Sequence, residues 1–334
     1  MTATKIHGTA NGHKLAIFYE HPEWFKPLFA ELDRRGVEYD RLLAHEHRFD
    51  PAERVCPYAL VVNRMSPSAY TRGHGNAILY TLQYLAYLKE IGANVLNGYD
   101  TYVYEFSKAR QISLLHRLGL RYPRARVISH PSQVPAAAEG LTFPVILKPN
   151  IGGSGAKIVR FDTPEVLQAA AEAGMLDLGI DGTALVQEYL PAEGNSIVRV
   201  EVLNGEYLYA IRLFLMADEF NLCPADYCRV PEHGGQSASK GLADGVSGRG
   251  VPIVGYTPSS QIIEDVERIT QAAQIEVGGV EYLINSRDGQ VYYYDINALS
   301  NFVADAPTIV GFDPFPRLVD FLLARAGLTS PVTA

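Results

Sequence analysis

Long apolar runs are missing from this sequence. No stretch of about 18 or more uncharged apolar residues occurs, which argues against a membrane-spanning helix. The N-terminal segment MTATKIHGTANGHK lacks the apolar core of a secretory signal. Runs of like charge are absent as well: 29 Lys and Arg stand against 37 Asp and Glu, for a formal net charge of −8. Without a basic block, neither nucleic acid nor an anionic membrane is the expected partner. Cysteine is scarce, three in 334 residues, and an odd number in a chain of this length argues against a disulfide framework. Cys223, Cys228 and His233 form a C-x4-C-x4-H string with no evident fourth ligand and an unusual spacing for zinc. Free thiols in a reducing compartment are the simpler reading, and a soluble cytoplasmic enzyme acting on small molecules is the expectation. Whether it forms a homo-oligomer is left open.

With 47% hydrophobic and 20% charged residues, the chain is long enough to bury a sizeable core and form two or three domains. The first hundred residues alternate short apolar runs with helical patterns, as a parallel sheet with crossover helices does. Strands are expected at Leu15 to Tyr19, Val37 to Leu42, Tyr58 to Val62 and Asn94 to Asn97. Helices fall between them, stopped by Gly36 and Gly92. From Thr101 the texture becomes α+β: a helix stopped by Gly119, the proline-containing connection YPRARVI, then strand, glycine loop and strand. Thr163 and Pro164 open a short helix as N-cap and first residue. Apolar or alternating runs follow, joined by turn signals such as Asn204-Gly205 and Asp288-Gly289, and imply an antiparallel sheet. The segment Glu232 to Gly250, rich in Gly and Ser, reads as a surface loop. Expected domains are 1–100, 101–185 and 186–334.

The stretch FPVILKPNIGGSGAKIVRF, Phe143 to Phe161, suggests a phosphate cradle. Gly152, Gly153, Ser154 and Gly155 let backbone N–H groups approach an anion, and Lys148 supplies a positive charge. A glycine hairpin alone is a weak signal, and neither G-x-x-x-x-G-K-[ST] nor G-x-G-x-x-G is present. A second feature strengthens it. In GGVEYLI and YYYDINAL, strand periodicity puts Asp295 and Asn297 on one face, where Glu281 on a paired strand can meet them. Such an all-oxygen set suits Mg²⁺. Between these poles, Gln187, Glu188, Tyr189 and Leu190 lead from a strand into a linker that can offer backbone groups and apolar contact to an adenine. Arg199 and Arg212 are candidates to fork onto phosphate or carboxylate, or to form surface salt bridges.

In this order the features resemble the ATP-grasp superfamily, and most closely its RimK-like carboxylate-amine ligases of the alpha-L-glutamate type. The resemblance runs from Tyr58 to the C-terminal region. It implies an ATP-grasp fold of mixed α/β and α+β class: an N-terminal doubly wound domain, a small central α+β domain and a C-terminal antiparallel-sheet domain. YALVVNRMSPSAY puts Arg64 at the family's N-domain arginine. FSKARQISLLHRLG puts Lys108 at its first nucleotide lysine, and VILKPNIGGSGAKI puts Lys148 at the second. VQEYL matches the adenine hinge, Arg199 and Arg212 the arginine positions, and DEFNL the loop asparagine, Asn221. GGVEYLI and YYYDIN match the metal strands. Three departures matter. Ile197 replaces the carboxylate expected two residues before the first arginine, which makes Glu193 the substitute for the ribose contact. The metal carboxylates run Glu then Asp rather than Asp then Glu. ALSNFVADA replaces the usual Ser-Pro-Gly turn after Asn297.

The resemblance implies ATP and Mg²⁺, two ions by family pattern with Mn²⁺ an alternative, and ligation of a carboxylate to an amine through an acyl phosphate, on an amino acid or small peptide-like substrate. Arg64, Arg199, Arg212 and Asn221 would serve the reacting groups, with IGGSGAK as a lid. Rival readings are an ATP-grasp kinase acting on a hydroxyl, a non-catalytic ATP-binding regulator, and a purely structural role for the glycine loop and carboxylates.

Overall fold

The computed structural model describes residues 14–153, 155–215 and 252–328. Ser154, Asn221, Cys223, Cys228, His233 and the segment 232–250 lie outside them, so the expectations placed there are not described further. By contacts the chain divides into two units: Met1–Val103 with Asp313–Ala334, and Tyr104–Phe312. Among the described residues no helix is long and apolar enough to cross a membrane.

The first unit is built on a parallel sheet of β1 (Leu15–Tyr19), β2 (Tyr39–Leu43), β3 (Leu60–Arg64) and β4 (Val95–Leu96) in the order β2-β1-β3-β4. Every residue of β1 and β3 is buried, the pattern of strands covered on both faces. The helices α1 (Lys26–Arg34) and α2 (Gly75–Glu90) connect them. Both end as the glycines foretold. Gly36 and Gly92 take left-handed φ of 63° and 72°, and the following residues bond back into the last turn, Val37 N–H to Leu32 O and Ala93 N–H to Leu88 O. That bond takes Val37 out of the strand, so β2 begins two residues later than its apolar pattern suggests. The C-terminal helix Pro314–Ala326 also belongs to this unit, where Arg35 of the α1 C-cap donates to Pro316 O at 2.9 Å.

The second unit contains two antiparallel sheets. The smaller runs β5-β8-β6-β7, with β5 (Ala125–Ile128), β6 (Val145–Pro149), β7 (Val159–Phe161) and β8 (Ala184–Glu188). β5 lies inside YPRARVI, which the sequence reading treated as a connection. It is an edge strand with exposed Arg126 and Val127, and such strands lack the buried alternation that makes a strand legible. The helix α3 (Pro164–Glu172) is capped by Thr163, whose hydroxyl accepts from Val166 N–H at 3.4 Å. The larger sheet runs β11-β10-β9-β12-β13, with β9 (Ser196–Leu203), β10 (Glu206–Phe214), β11 (Ile253–Tyr256), β12 (Val277–Ile284) and β13 (Val291–Asn297). The helices α4 (Lys108–Arg117) and α5 (Ser260–Ala272) contribute Leu114, Leu115, Val266 and Ile269 to a core with Val198, Val200, Val280 and Tyr282 on one face of that sheet. The polar residues of interest lie on the other face.

Candidate active site

Strand register builds the site. Glu281 in β12 stands opposite Arg199 of β9 on one side and Asp295 of β13 on the other. Directly opposed residues share a face, so these three side chains form one line across the sheet. The next line on that face is Glu201, Gly279 and Asn297. Between Glu281 and Tyr282 the pairing slips, leaving Tyr294 as the extra residue of a bulge. The slip turns Tyr294 to the site, and its hydroxyl donates to Glu281 Oε2 at 3.0 Å.

The cations come from two other elements. Lys108 opens α4, where Ser107 caps the helix by accepting from Arg110 N–H, and Lys108 Nζ donates to Asp295 Oδ1 at 2.6 Å. Lys148 stands on β6, its Nζ 4.0 Å from the same oxygen and 3.5 Å from Tyr294 O. Asn150 ties these elements together. Its side-chain oxygen accepts from Ser107 Oγ and Ala109 N–H, its amide donates to Asp181 at 2.8 Å, and its carbonyl accepts from Lys108 N–H. Gln111, one turn after Lys108, exchanges two bonds with the backbone of Ile296, at 2.8 and 3.1 Å. Glu105 accepts from the N–H groups of Ala298 and Leu299. The start of α4 is thereby locked to the end of β13.

The electrostatics follow from this crowding. Burial pushes the Asp295 carboxyl up, but Lys108 and Lys148 outweigh it and bring it down to about 2. Burial, reinforced by the Lys108 charge, lowers Lys148 to about 8. Lys108 is raised, since Asp295 more than offsets its burial. Burial and the Asp295 charge raise Glu281, and burial raises Glu105 to about 7. At neutral pH Asp295 is ionised and Lys148 is a charged lysine easily perturbed by a nearby anion.

Arg199 Nη1 donates to Glu281 Oε1 at 3.1 Å and its Nε to Glu201 Oε1 at 2.6 Å. Arg212 does not join it. Ile211 is the residue opposite Arg199, whereas Arg212 is opposite Val198. Alternation therefore puts Arg212 on the helix-covered face, with its guanidinium 4.1 Å from the Tyr256 ring centroid. The structure thus separates two arginines that the sequence reading paired. Arg64 is buried at the end of β3, its guanidinium 5.5 Å from the Phe25 ring, and belongs to the first unit.

In the hinge, Gln187 is buried between Ala125 and Ile146. Two N–H groups expected to face an adenine are taken within the protein: Glu188 donates to Arg124 O and Tyr189 to Pro144 O. The Glu188 carboxylate accepts from Thr142 N–H at 2.8 Å. Leu190 is buried, the Tyr189 ring lies under Arg160 at 4.5 Å, and the linker that follows is held by Ser286 N–H on Pro191 O. Glu193 is exposed in a short 3-10 turn. In the glycine loop between β6 and β7, Gly155 adopts a φ of +68°, where a side chain is strained. Gly152 and Gly153 are half-buried beside it.

Whether this set suits a divalent cation is tested by its donors. Among the described residues there is no group of three or more His, Cys, Asp and Glu. Mg²⁺ needs fewer protein ligands than that, one or two carboxylates with phosphate and water. Glu281 and Asp295 oppose each other directly, and the Asn297 amide nitrogen is buried with no hydrogen-bond partner among the described residues, so no such bond holds its amide oxygen away from a cation. The residues fit.

Sequence reasoning missed Glu105, Gln111, Asn150, Glu201 and Gly279. Only the last left a signal. Paired glycines inside a strand mark close approach, and a Cβ on Gly279 would lie 2.9 Å from both Arg199 Nε and Glu201 Oε2.

Solved structures similar to this chain show its fold. The ATP-grasp ligase PsnB complexed with a phosphomimetic variant of its minimal precursor, Mg and ADP aligns with a TM-score of 0.62 at 17% identity, over 95% of this chain and 100% of that one. The D-cycloserine synthetase DcsG aligns at 0.65 and 14%, over 93% and 99%. The D-alanine–D-alanine ligase of Bacillus anthracis complexed with ATP aligns at 0.61 and 13%, over 95% and 97%. The fold is an ATP-grasp fold.

Within it, residues 106–221 match the RimK-like ATP-grasp domain. A probable alpha-L-glutamate ligase 2 of Pseudoalteromonas atlantica is 30% identical over 114 residues, 34% of this chain. That match spans 37% of the relative's length. A probable alpha-L-glutamate ligase 1 of Shewanella frigidimarina is 22% identical over 286 residues, 81% of this chain and 85% of that protein.

Proposed function

We propose that the protein is an ATP-dependent carboxylate-amine ligase that forms an amide through an acyl phosphate and releases ADP and phosphate. The observation that carries this reading is the line Arg199, Glu281, Asp295 across three strands, with Lys108 and Lys148 converging on Asp295. A buried site holding carboxylates, lysines and an arginine on one sheet face is what phosphoryl transfer needs, since that step is mostly positioning and neutralisation of charge. The RimK-like domain and the ligases similar to this chain support it.

ATP would lie over this face, with Lys148 and Lys108 against its phosphates and the glycine loop closing above them. A divalent cation held by Glu281, Asp295 and Asn297 would neutralise charge on the phosphate oxygens. The substrate carboxylate attacks the γ-phosphorus, and the bond to the ADP oxygen breaks. Arg199 faces the negative charge that develops there. The amine then attacks the acyl carbon, a C–N bond forms, the bond to phosphate breaks and a proton leaves the nitrogen. Exclusion of water protects the acyl phosphate, a task proposed for the glycine loop.

The test is Mg²⁺-dependent ADP release from ATP across a panel of carboxylic acids, with and without amino-acid amines, and product masses by mass spectrometry. A condensed mass that needs both partners supports the ligase. A stable phosphorylated hydroxyl product, or ADP release that depends on neither partner, overturns it.

A further inference from the structure

We infer that Glu201 receives the ammonium group of the amine substrate and takes the proton that the nitrogen must lose before it attacks, so that the ligase selects a protonated amine at the edge of its metal site. This deepens the ligase reading and rests on it. Glu201 is 2% exposed. One of its oxygens accepts from Arg199 Nε at 2.6 Å, while the other, Oε2, is buried with no hydrogen-bond partner among the described residues. A buried carboxylate oxygen without a donor is costly, and a site that retains one has a use for it.

The surroundings say what that use is. One guanidinium, Arg199, serves two buried carboxylates, Glu201 and Glu281; with Glu281 turned to the proposed cation, Glu201 keeps this donor on one oxygen and none on the other. Glu201 is opposite Gly279, and a Cβ there would lie 2.9 Å from the unpartnered Oε2. The missing side chain lets that oxygen lie over β12 on the site face. Across Gly279 stands Asn297, whose buried amide nitrogen is likewise unpartnered. On the other flank Glu201 pairs with Tyr209, whose hydroxyl accepts from Val303 N–H at 2.9 Å. Val303, in the stretch after β13, is therefore tied to the strand residue paired with Glu201. On the line Glu201, Gly279, Asn297, one acceptor and one donor thus remain unsatisfied among the described residues. An ammonium brings three N–H donors and a positive charge, which match this acceptor and its carboxylate. The Asn297 N–H is left for an acceptor on the same substrate. An amino acid carries both.

The full chain is assayed with ATP, Mg²⁺ and the carboxylic-acid panel, first with hydroxylamine, which is uncharged at pH 7 and traps an acyl phosphate as a hydroxamate. The acid that gives a hydroxamate is then assayed with the common L-amino acids as amine donors. Wild-type protein and Glu201→Gln are compared by the ratio of amide to hydroxamate formed. The amide of Gln retains an oxygen for Arg199 and lacks the charge for the ammonium. The expected result is an amide-to-hydroxamate ratio lower by about tenfold or more, with the KM of the amino acid raised, as loss of a charge-assisted contact implies. An unchanged ratio, with both products kept or both lowered together, overturns the inference and gives Glu201 a structural role through Arg199. Absence of hydroxamate and of ADP release from wild-type protein refutes the ligase reading itself. If the Gln variant does not accumulate in folded form, Glu201→Asp carries the test. It keeps the charge one methylene short of the amine, so a raised amine KM with hydroxamate retained supports the inference, and a wild-type KM overturns it.

Discussion

Gly279→Ala adds one methyl group where the structure has no room. Its Cβ would lie 2.9 Å from Arg199 Nε, 2.9 Å from Glu201 Oε2 and 3.1 Å from Arg199 Nη2. These atoms belong to buried side chains already fixed by ion pairs at 2.6 and 3.1 Å, so they cannot swing clear as a surface side chain would. Overpacking of this kind costs about 1–3 kcal/mol. Replacing glycine within a strand returns about 0.5–1 kcal/mol. The net loss is about 1–2 kcal/mol, which for a unit of this size lowers Tm by roughly 2–8 °C. Function suffers more than stability. On the proposed mechanism, moving Arg199 would take a guanidinium from the developing phosphate charge, and losing one such contact would lower turnover by ~10²–10³-fold. Gly278→Ala is the contrast, since its Cβ meets backbone: Asn297 O at 2.5 Å and Ala298 Cα at 3.2 Å, besides Ile275 Cγ2 at 2.6 Å. Backbone gives way less readily, so its Tm should fall further. The measurements are thermal melts by circular dichroism and ADP release. A Gly279→Ala protein with wild-type Tm and wild-type turnover would refute the argument that the Arg199–Glu201 pair fills this gap.

Asp295→Asn should reduce ADP release by ~10³-fold and also lower Tm, because Lys108 loses the partner it holds at 2.6 Å; adding Lys108→Met should recover part of that stability, and purely additive melts would show that the pair is not coupled. ATP affinity should weaken as pH rises through about 8, where Lys148 loses its proton, and calorimetric titrations of Lys148→Ala should lack that pH dependence. Arg212→Met should leave ADP release within about threefold of wild type, as expected away from the reacting groups; a much larger loss would contradict its assignment to the helix-covered face. The Glu31 carboxyl, bonded by Arg34 and Arg35, falls from 4.5 to about 2. A lowered carboxyl pKa gives stability that is present above about 4.5 and lost as pH falls toward about 2, so urea midpoints should drop across that window less steeply in Glu31→Gln than in wild type.

Much of the local structure was legible because its causes are local. Gly36, Gly92 and Gly119 stop helices through left-handed φ of 63°, 72° and 70°, and Thr163 caps a helix from the position its side chain suggests. The alternation of Asp295 and Asn297 places them on one face whatever else the strand does. Edge strand β5 escaped notice because its exposed residues follow no buried pattern. The division of units was only partly visible, since the helix at Pro314–Ala326 returns to the first unit across the whole length of the second.

What the sequence determined by itself is therefore most of the elements and the residues proposed for nucleotide chemistry: Lys108, Lys148, the glycine loop, Glu281, Asp295 and Asn297. The tertiary structure decided how those parts combine. Pairing Ile211 with Arg199 sent Arg212 to the far face, a bulge turned Tyr294 toward Glu281, and Gly279 left room for Glu201 beside Arg199. Helix and turn preferences act over a few residues, whereas register is set by packing between strands distant in the chain. Only the folded sheet fixes which charges face one another.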